Sequence, residues 1–324
     1  MKTDTQLSLI LGIAAVLCLE TPRALADLQV RQIIQNAALS IDGFGSTSNS
    51  GFLQANIPAG STIQRAYLYA SSVWANPVHG VNFHGNALSL GSASVLGPNL
   101  NPATTVRWDV TNIVASSSTE GLRNFSISEN GDNDGAVLVV AYSNSSTQGF
   151  TSAILDGELS TTGDTTRFDF INPYSGGNFL VSLASSFSRQ PSGQATEIDV
   201  STNSTTNRRL TSSAGGQDDG EGVNGGLMTV GGIGDSAANP DPFGDAFDGP
   251  TVDDEYYNLA WGNLANTAPF ISMGDNFVSL ATVNPSNDDN VFGMFITSEF
   301  GIVPAPGSIA VLALAGLNAR RRRR

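Results

Sequence analysis

Short runs of β-branched and aromatic residues, bounded by clusters of Gly, Asn, Asp and Pro, recur along the middle of the chain. Such runs at close spacing are typical of the strands of a sandwich or barrel. Helix-forming stretches are scarce, and only residues 253–264 have a helical pattern. The clearest predicted strands are residues 63–73, 122–128, 135–143, 150–156, 178–187, 276–283 and 291–300.

Local patterns add detail to these strands. Alternation along residues 65–70 places Ala66, Leu68 and Ala70 on one face of a strand and Tyr67 and Tyr69 on the other. Residues 81–88 predict a hairpin with the tip His84-Gly85-Asn86. Aromatic residues could stack on sugar rings, and Tyr67 and Tyr69 are the better candidates if their face is solvated; the alternative is core packing. The other aromatic candidates are Trp74, Trp108, Tyr256, Tyr257 and Trp261.

The pattern predicts an all-β protein, a large antiparallel β-sandwich of the jelly-roll type over residues 27–302. About 275 residues are enough for one large domain or two modest ones. The turn-rich residues 160–164 leave two arrangements open, one sandwich or two lobes divided near residue 160. No internal repeat can be aligned.

The front of the chain has the three parts of a secretion signal. Residues 1–6 are polar with one base, residues 7–19 are almost entirely apolar, and Ala24-Leu25-Ala26 is a small-x-small site for signal peptidase. We therefore expect residues 1–26 to be removed and the mature chain to begin at Asp27. Cys18, the only cysteine, lies inside the signal, so the mature protein has no disulfide.

The far end carries a Pro-x-Pro motif at Pro304 and Pro306, a short apolar stretch, and a cluster of five arginines, Arg320, Arg321, Arg322, Arg323 and Arg324. Residues 303–324 thereby resemble the PEP-CTERM sorting signal of exosortase substrates. The resemblance implies transient insertion of a short hydrophobic helix into the inner membrane, with the arginines in the cytoplasm, and cleavage by an exosortase-type enzyme. The segment departs from that family in having Ala305 where Glu is usual, and its apolar residues 307–319 are fewer than the roughly twenty that span hydrocarbon.

The middle of the chain also resembles uncharacterised exoproteins that carry this signal. The motifs behind this are residues 66–69, the hairpin near residue 84, and residues 108–111, 135–143, 154–157 and 284–290. The resemblance implies an exported β-sandwich protein of a bacterial cell envelope, outer surface or extracellular matrix, without indicating an activity.

Charge narrows the choice of partners. Between the signal and the terminal arginine cluster, residues 27–319, the chain has 27 acidic residues, eight arginines and no lysine. The net charge of this part is therefore near −19. Such a surface repels nucleic acid and anionic lipid, so neither is an expected partner. It suits multivalent cations, or simply solubility outside the cell.

Three acid clusters are candidate calcium ligands. Residues 130–135 place Asp132 and Asp134 among oxygen-bearing side chains before a glycine, as in the first half of an EF-hand loop, although Ala141 stands where the loop needs its final Glu. The second group comprises residues 217–221, 241–248 and 253–255, and its candidate ligands are Asp218, Asp219 and Glu221; the third, residues 287–290, supplies Asp288 and Asp289. The alternative is that these acids lie in separate solvated turns.

Catalytic signals are sparse. His79 and His84 are the only histidines, and five positions apart on extended chain they point to opposite faces. Carboxylate pairs suited to a glycan hydrolase are Asp156 with Glu158 and Asp254 with Glu255. We expect a non-catalytic exported protein that binds cations and also exopolysaccharide, with a secreted glycan-active hydrolase as the alternative.

The signal sequence can be tested directly. We expect the exported protein to begin at Asp27, because the cleavage site directly follows the apolar segment. Intact-mass measurement of the exported protein checks this, and a mass that retains residues 1–26 would contradict it.

Overall fold

A computed structural model describes most of the chain between residues 28 and 305. The described ranges are 28–45, 48–72, 78–96, 104–117, 120–131, 133–160, 162–186, 195–214, 228–239, 241–243, 255–285 and 290–305.

Strands dominate these ranges, and the α-helix α1, Thr111–Ser116, is a single short element. The first ten strands are β1 Gln29–Gln35, β2 Ala38–Gly45, β3 Ser50–Ile57, β4 Thr62–Ser72, β5 Val81–Phe83, β6 Asn86–Leu88, β7 Ser94–Val95, β8 Thr104–Asp109, β9 Gly121–Glu129 and β10 Asn133–Ser143. The next ten are β11 Thr151–Asp156, β12 Asp164–Phe170, β13 Phe179–Ser186, β14 Thr196–Ser201, β15 Arg208–Ala214, β16 Met228–Val230, β17 Tyr256–Asn258, β18 Phe277–Val283, β19 Asn290–Ser298 and β20 Ile302–Pro304.

The all-β prediction is confirmed, and each of the seven predicted strands matches an observed strand to within two residues at either end. The hairpin of β5 and β6 is also present; its turn is His84-Gly85, both with positive φ, and Asn86 already belongs to β6. The helix expected over residues 253–264 is wrong for the described residues 255–264. Tyr256–Asn258 instead pairs with β13 as a strand, because pairing to an existing sheet satisfies the backbone that a helix would satisfy internally.

The strands form two jelly rolls in succession. In the first roll, one sheet has the order β2-β10-β4-β8-β7 and the other β3-β9-β5-β6. In the second, one sheet has the order β1-β11-β19-β13-β16, with β17 also on β13, and the other β15-β14-β18-β12-β20. When the minor strands β1, β7, β17 and β20 are left out, each roll has eight strands. Counted in chain order within a roll, one sheet has the strand order first-eighth-third-sixth and the other has second-seventh-fourth-fifth. This is the arrangement of a jelly roll. Every pairing among the described strands is antiparallel.

Three hydrophobic cores stack the four sheets in a fixed order. The β2 sheet and the β3 sheet enclose one core, which contains Leu68 and Phe125, and the β11 and β12 sheets enclose another, which contains Phe168 and Met294. The third core lies between the β2 sheet and the β11 sheet. These two are therefore the inner sheets, and the β3 and β12 sheets are the outer ones. Inner strands are buried on both faces, which explains the unbroken apolar run of β10.

The chain crosses between the rolls twice, and the two crossings are bonded to each other. The turn after β1 carries the chain from the second roll's inner sheet to the first's, and residues 144–150 carry it back from β10 to β11. Asn36 accepts hydrogen bonds from Gly149 N–H at 2.9 Å and from the Thr147 hydroxyl at 2.7 Å. The passage between the rolls thus lies at residues 144–150, and residue 160 falls between β11 and β12 of the second roll.

Side chains of β2 close the open edge of the first roll. Gln54 and Asn56 lie on β3, the edge strand of the outer sheet, and their backbone N–H groups donate to the Asp42 carboxylate and, at 2.8 Å, to the Ser40 hydroxyl. These bonds cover an edge that would otherwise expose unpaired amides. Burial, opposed by the bond from Gln54 and reinforced by the charge of Asp235, raises the pKa of Asp42 from 3.8 to about 7.

Asp42 therefore makes the stability of the fold depend on pH. A carboxyl group with a raised pKa in the folded state stabilises the protein below pH 4 and loses that contribution as the pH rises through 7. Asp42→Asn keeps an acceptor for Gln54 and removes the charge. We expect the variant to be more stable than the wild type at pH 8, by a few kcal/mol at about 1.4 kcal/mol per pKa unit, and equally stable near pH 4.

Denaturant unfolding of both proteins between pH 4 and pH 8 measures this difference, in which the titrating groups that do not interact with Asp42 cancel. A stability difference that does not change with pH would contradict the assignment.

Candidate functional site

The strand ends at one end of the molecule meet across the seam between the rolls. Asn133, the first residue of β10, pairs with Ser72. The neighbouring Ser71 hydroxyl donates to the Ser186 hydroxyl, 2.9 Å away. Ser186 in turn pairs with both Met228 and Asn290, the first residues of β16 and β19. The upper end, as we call it, is defined by Ser72, Asn133, Ser186, Met228 and Asn290.

Close backbone approach fixes this meeting point. Gly135 has a φ of +146°, and a Cβ on it would lie 2.1 Å from Phe44 O and 3.1 Å from Met228 Cβ. Any side chain would therefore push β10 away from β2 and from the second roll. The start of β10 touches the start of β16 because this position is a glycine.

Part of each predicted acid cluster joins the described chain at the upper end. Asp132 directly precedes Asn133, residues 218–221 lie in the segment that ends at Met228, and Asp288 and Asp289 directly precede Asn290. The rest of the second cluster attaches elsewhere: next to Asp241, Pro242 O accepts from the Ser212 hydroxyl of β15, and Glu255 O accepts from Leu183 N–H of β13. Asp132, Asp218, Asp219, Glu221, Asp288 and Asp289 themselves lie outside the described residues, and so does the side chain of Asp134 in β10. The structure therefore brings together the described residues to which the acid segments are attached, Asn133, Met228 and Asn290.

Two of these attachment points are equivalent. Asp132 lies in the connection from β9 to β10, and Asp288 and Asp289 lie in the connection from β18 to β19. Both connections join the seventh and eighth strands of a roll. The sequence showed no alignable repeat, and the equivalence becomes visible only once the strands are ordered into sheets.

A buried polar network crosses the seam just below the upper end. The Arg107 guanidinium of β8 donates to Asp156 of β11 and lies 5.1 Å from the ring centre of Tyr67. The Tyr69 hydroxyl also donates to Asp156, at 3.0 Å. Burial and the charge of Asp156 raise the pKa of Tyr69 well above its ordinary value, so it remains a donor. Burial lowers the pKa of Arg107, but the charge and hydrogen bond of Asp156 raise it by more. The pKa of Arg107 is therefore raised.

This network corrects the expectation for the two tyrosines. Tyr67 and Tyr69 do share one strand face, but the face packs against the second roll, and the two side chains are 5% and 0% exposed. They cannot stack on a sugar ring. Trp108 and Tyr257 are buried as well, whereas Trp261 is half exposed and Tyr256 partly so; Trp74 lies outside the described residues.

The carboxylate pair Asp156 and Glu158 is not arranged for hydrolysis. Both side chains are buried, 7% and 2% exposed, and Asp156 is engaged by Arg107 and Tyr69. A glycosidase needs its pair open to substrate and water. Of the other pair, Glu255 is buried and Asp254 lies outside the described residues. His79 and His84 are both exposed, and His84 contacts the Phe125 ring edge-on.

The described part of the chain contains neither a cluster of metal-binding side chains nor a membrane-spanning helix. No three His, Asp or Glu side chains there could together hold a metal ion. The buried amide oxygen of Asn133, Oδ1, has no hydrogen-bond partner among the residues that the structure describes. No helix among the described residues has the length and apolar character needed to cross a membrane. Pro304 ends β20, while Pro306 and Arg320 to Arg324 lie beyond the described ranges.

Comparison with known proteins adds little. No family model matches the chain, and no curated protein matches it. Among solved structures, the chain is similar to the major capsid protein P2 of bacteriophage PM2, with 12% sequence identity over 83% of this chain and 98% of that chain, at a TM-score of 0.22. A TM-score of 0.22 is too low to support an inference about fold or function.

The buried pair at the seam should be strongly coupled. We expect Arg107→Leu to destabilise the protein by about 3–5 kcal/mol, because it leaves Asp156 as an uncompensated buried charge. Arg107→Leu combined with Asp156→Asn should recover most of this loss, because the neutral amide still accepts from the Tyr69 hydroxyl. Denaturant unfolding measures both.

The exposed pair of Arg65 and Asp109, 2.9 Å apart, provides a matched control. Arg65→Leu should cost no more than about 1 kcal/mol. Equal effects of Arg65→Leu and Arg107→Leu would mean that water reaches the seam.

Proposed function

We propose that the chain is an exported, non-catalytic protein of the cell surface or extracellular matrix, which binds divalent cations, calcium in particular, at the upper end and also contacts exopolysaccharide. The observation that carries the proposal is that three acid-rich segments, distant in sequence, attach to adjoining strand ends. Hard cations require several oxygen ligands that converge, and one segment rarely supplies them all.

Charge balance supports the cation. The chain between its two end signals has no lysine. Among the described residues, Arg107 lies just below the upper end and is already paired with Asp156, whereas Arg189, three positions after Ser186, lies outside the described residues. Carboxylates brought near one another repel, and a divalent ion relieves that repulsion. In this proposal Asp132 and Asp134 from the first roll, with Asp218, Asp219, Glu221, Asp288 and Asp289 from the second, supply the ligands, and Asn133 Oδ1 adds a neutral oxygen.

Export and sorting remain part of the proposal. Signal peptidase would release residues 1–26, and an exosortase-type enzyme would act near Pro304 and Pro306. The chain reaches that motif through β20, an edge strand paired with β12 in which Pro304 lies opposite Phe168. A proline suits an edge strand because it has no N–H to contribute to a ladder. The tail thus departs from the edge of the second roll's outer sheet.

Calcium should stabilise the folded protein. If the folded state binds the ion and the unfolded chain scarcely does, stability rises by about 2.7 kcal/mol at a hundredfold excess over Kd. Thermal unfolding in chelator, calcium, magnesium and sodium at equal ionic strength measures the effect. Magnesium should stabilise less, because it is smaller and loses water reluctantly.

Variants locate the effect. Asp288→Asn with Asp289→Asn should remove most of the calcium shift. Asp169→Asn should retain it, because Asp169 is an exposed acid paired with Arg167 at 2.8 Å. A calcium curve that overlays the chelator curve, or an equal loss in all variants, would contradict a site at the upper end.

A further inference from the structure

A pocket of about 160 Å³ opens on the side of the molecule, where the two rolls meet and away from the upper end. Its walls come from both rolls: β2, β3 and β10 of the first, and β17 with the segment after β16 of the second. Pockets for drug-sized ligands hold about 300–1,000 Å³. This pocket is therefore the size of a single small ring.

Two glycines fix the wall supplied by the second roll. A Cβ on Gly231 would lie 2.6 Å from Glu255 O, and one on Gly232 would lie 2.2 Å from Ile41 O, so only glycines allow the segment to enter the seam. Ile233 N–H then donates to Ile41 O at 2.9 Å. Because backbone atoms of both rolls hold the wall, the pocket is formed before any ligand arrives.

The lining combines two aromatic rings with small polar groups. Tyr142 and Tyr256 both line the pocket and are partly exposed, and Tyr142 also packs against the core between the β2 and β3 sheets. Ser40 and Asn56 also line the pocket: the Ser40 hydroxyl, 6% exposed, accepts from Asn56 N–H at 2.8 Å, and the Asn56 side chain, which carries an amide donor and acceptor, is exposed.

Carboxylates border the pocket without lining it. Asp42 lies on the same face of β2 as Ser40, two residues and roughly 7 Å along the strand. Asp235 accepts from Gly232 N–H, and its charge is felt at Asp42. An anionic ligand would meet repulsion here, whereas hydroxyl or amine groups would meet acceptors.

We propose that this pocket binds one pyranose ring of a neutral or amine-bearing sugar, with an apolar face of the ring against Tyr142 and Tyr256 and its hydroxyls on Ser40 and Asn56. The proposal rests on the exopolysaccharide part of the proposed function and is independent of cation binding. Aromatic faces with adjacent hydroxyl and amide groups match the mixed apolar and polar surface of a sugar ring.

Saturation-transfer NMR on the full-length protein tests this with the methyl glycosides of glucose, galactose, mannose, N-acetylglucosamine, glucosamine and glucuronate, in chelator and in calcium. We expect at least one neutral or amine-bearing glycoside to bind equally in both buffers, and glucuronate not to bind. Tyr142→Ala should weaken that binding about tenfold, or about 1.4 kcal/mol. Asn56→Ala, at an exposed position, is a second variant that spares the fold.

Trp261→Ala is the matched control, because Trp261 is a half-exposed aromatic residue on the loop after β17. It should leave binding unchanged. No binding of any glycoside, tighter binding of glucuronate, or loss of binding in Trp261→Ala but not in Tyr142→Ala would each overturn the proposal. None of these results bears on calcium stabilisation, so the two hypotheses can fail separately.

Discussion

Burial of the inner sheets on both faces is the constraint on which the rest of the structure depends. Each inner sheet faces its own outer sheet on one side and the other roll on the other side. Any polar group on an inner strand must therefore find its partner inside the protein. Arg107, Asp156 and Tyr69 satisfy one another in this way across the seam, and the hydroxyls of Ser71 and Ser186 do the same.

This constraint also determines where chemistry is accessible. With the broad faces of the inner sheets covered, ligands can reach the seam only at its ends and along its sides. The upper end is where the acid segments of both rolls attach, and the side carries the pocket between Tyr142 and Tyr256. Both candidate sites take groups from the two rolls, so each depends on the packing that the third core provides.

The strands could be predicted from the sequence because their β-branched runs end at Gly, Asn, Asp and Pro clusters, and β10 is the clearest example. Which face of β4 is solvated could not be predicted: alternation separates Tyr67 from Leu68, but only the tertiary structure shows that both faces are covered. The pocket was also beyond prediction, because Tyr142 and Gly232 are ninety positions apart and only the tertiary structure brings them together. The helix predicted over residues 253–264 is wrong for the described residues 255–264, because their composition does not reveal that β17 pairs with β13.

The acid clusters show the same division between local and non-local information. Their composition could be read from the sequence, whereas their common end follows from strand order and from contacts such as that between Ser71 and Ser186. A crystal structure determined in saturating calcium tests the central claim most directly. The account predicts an ion with oxygen ligands at about 2.3–2.6 Å from at least two of the three acid segments. Acid segments that are ordered, separate and without an ion would contradict it.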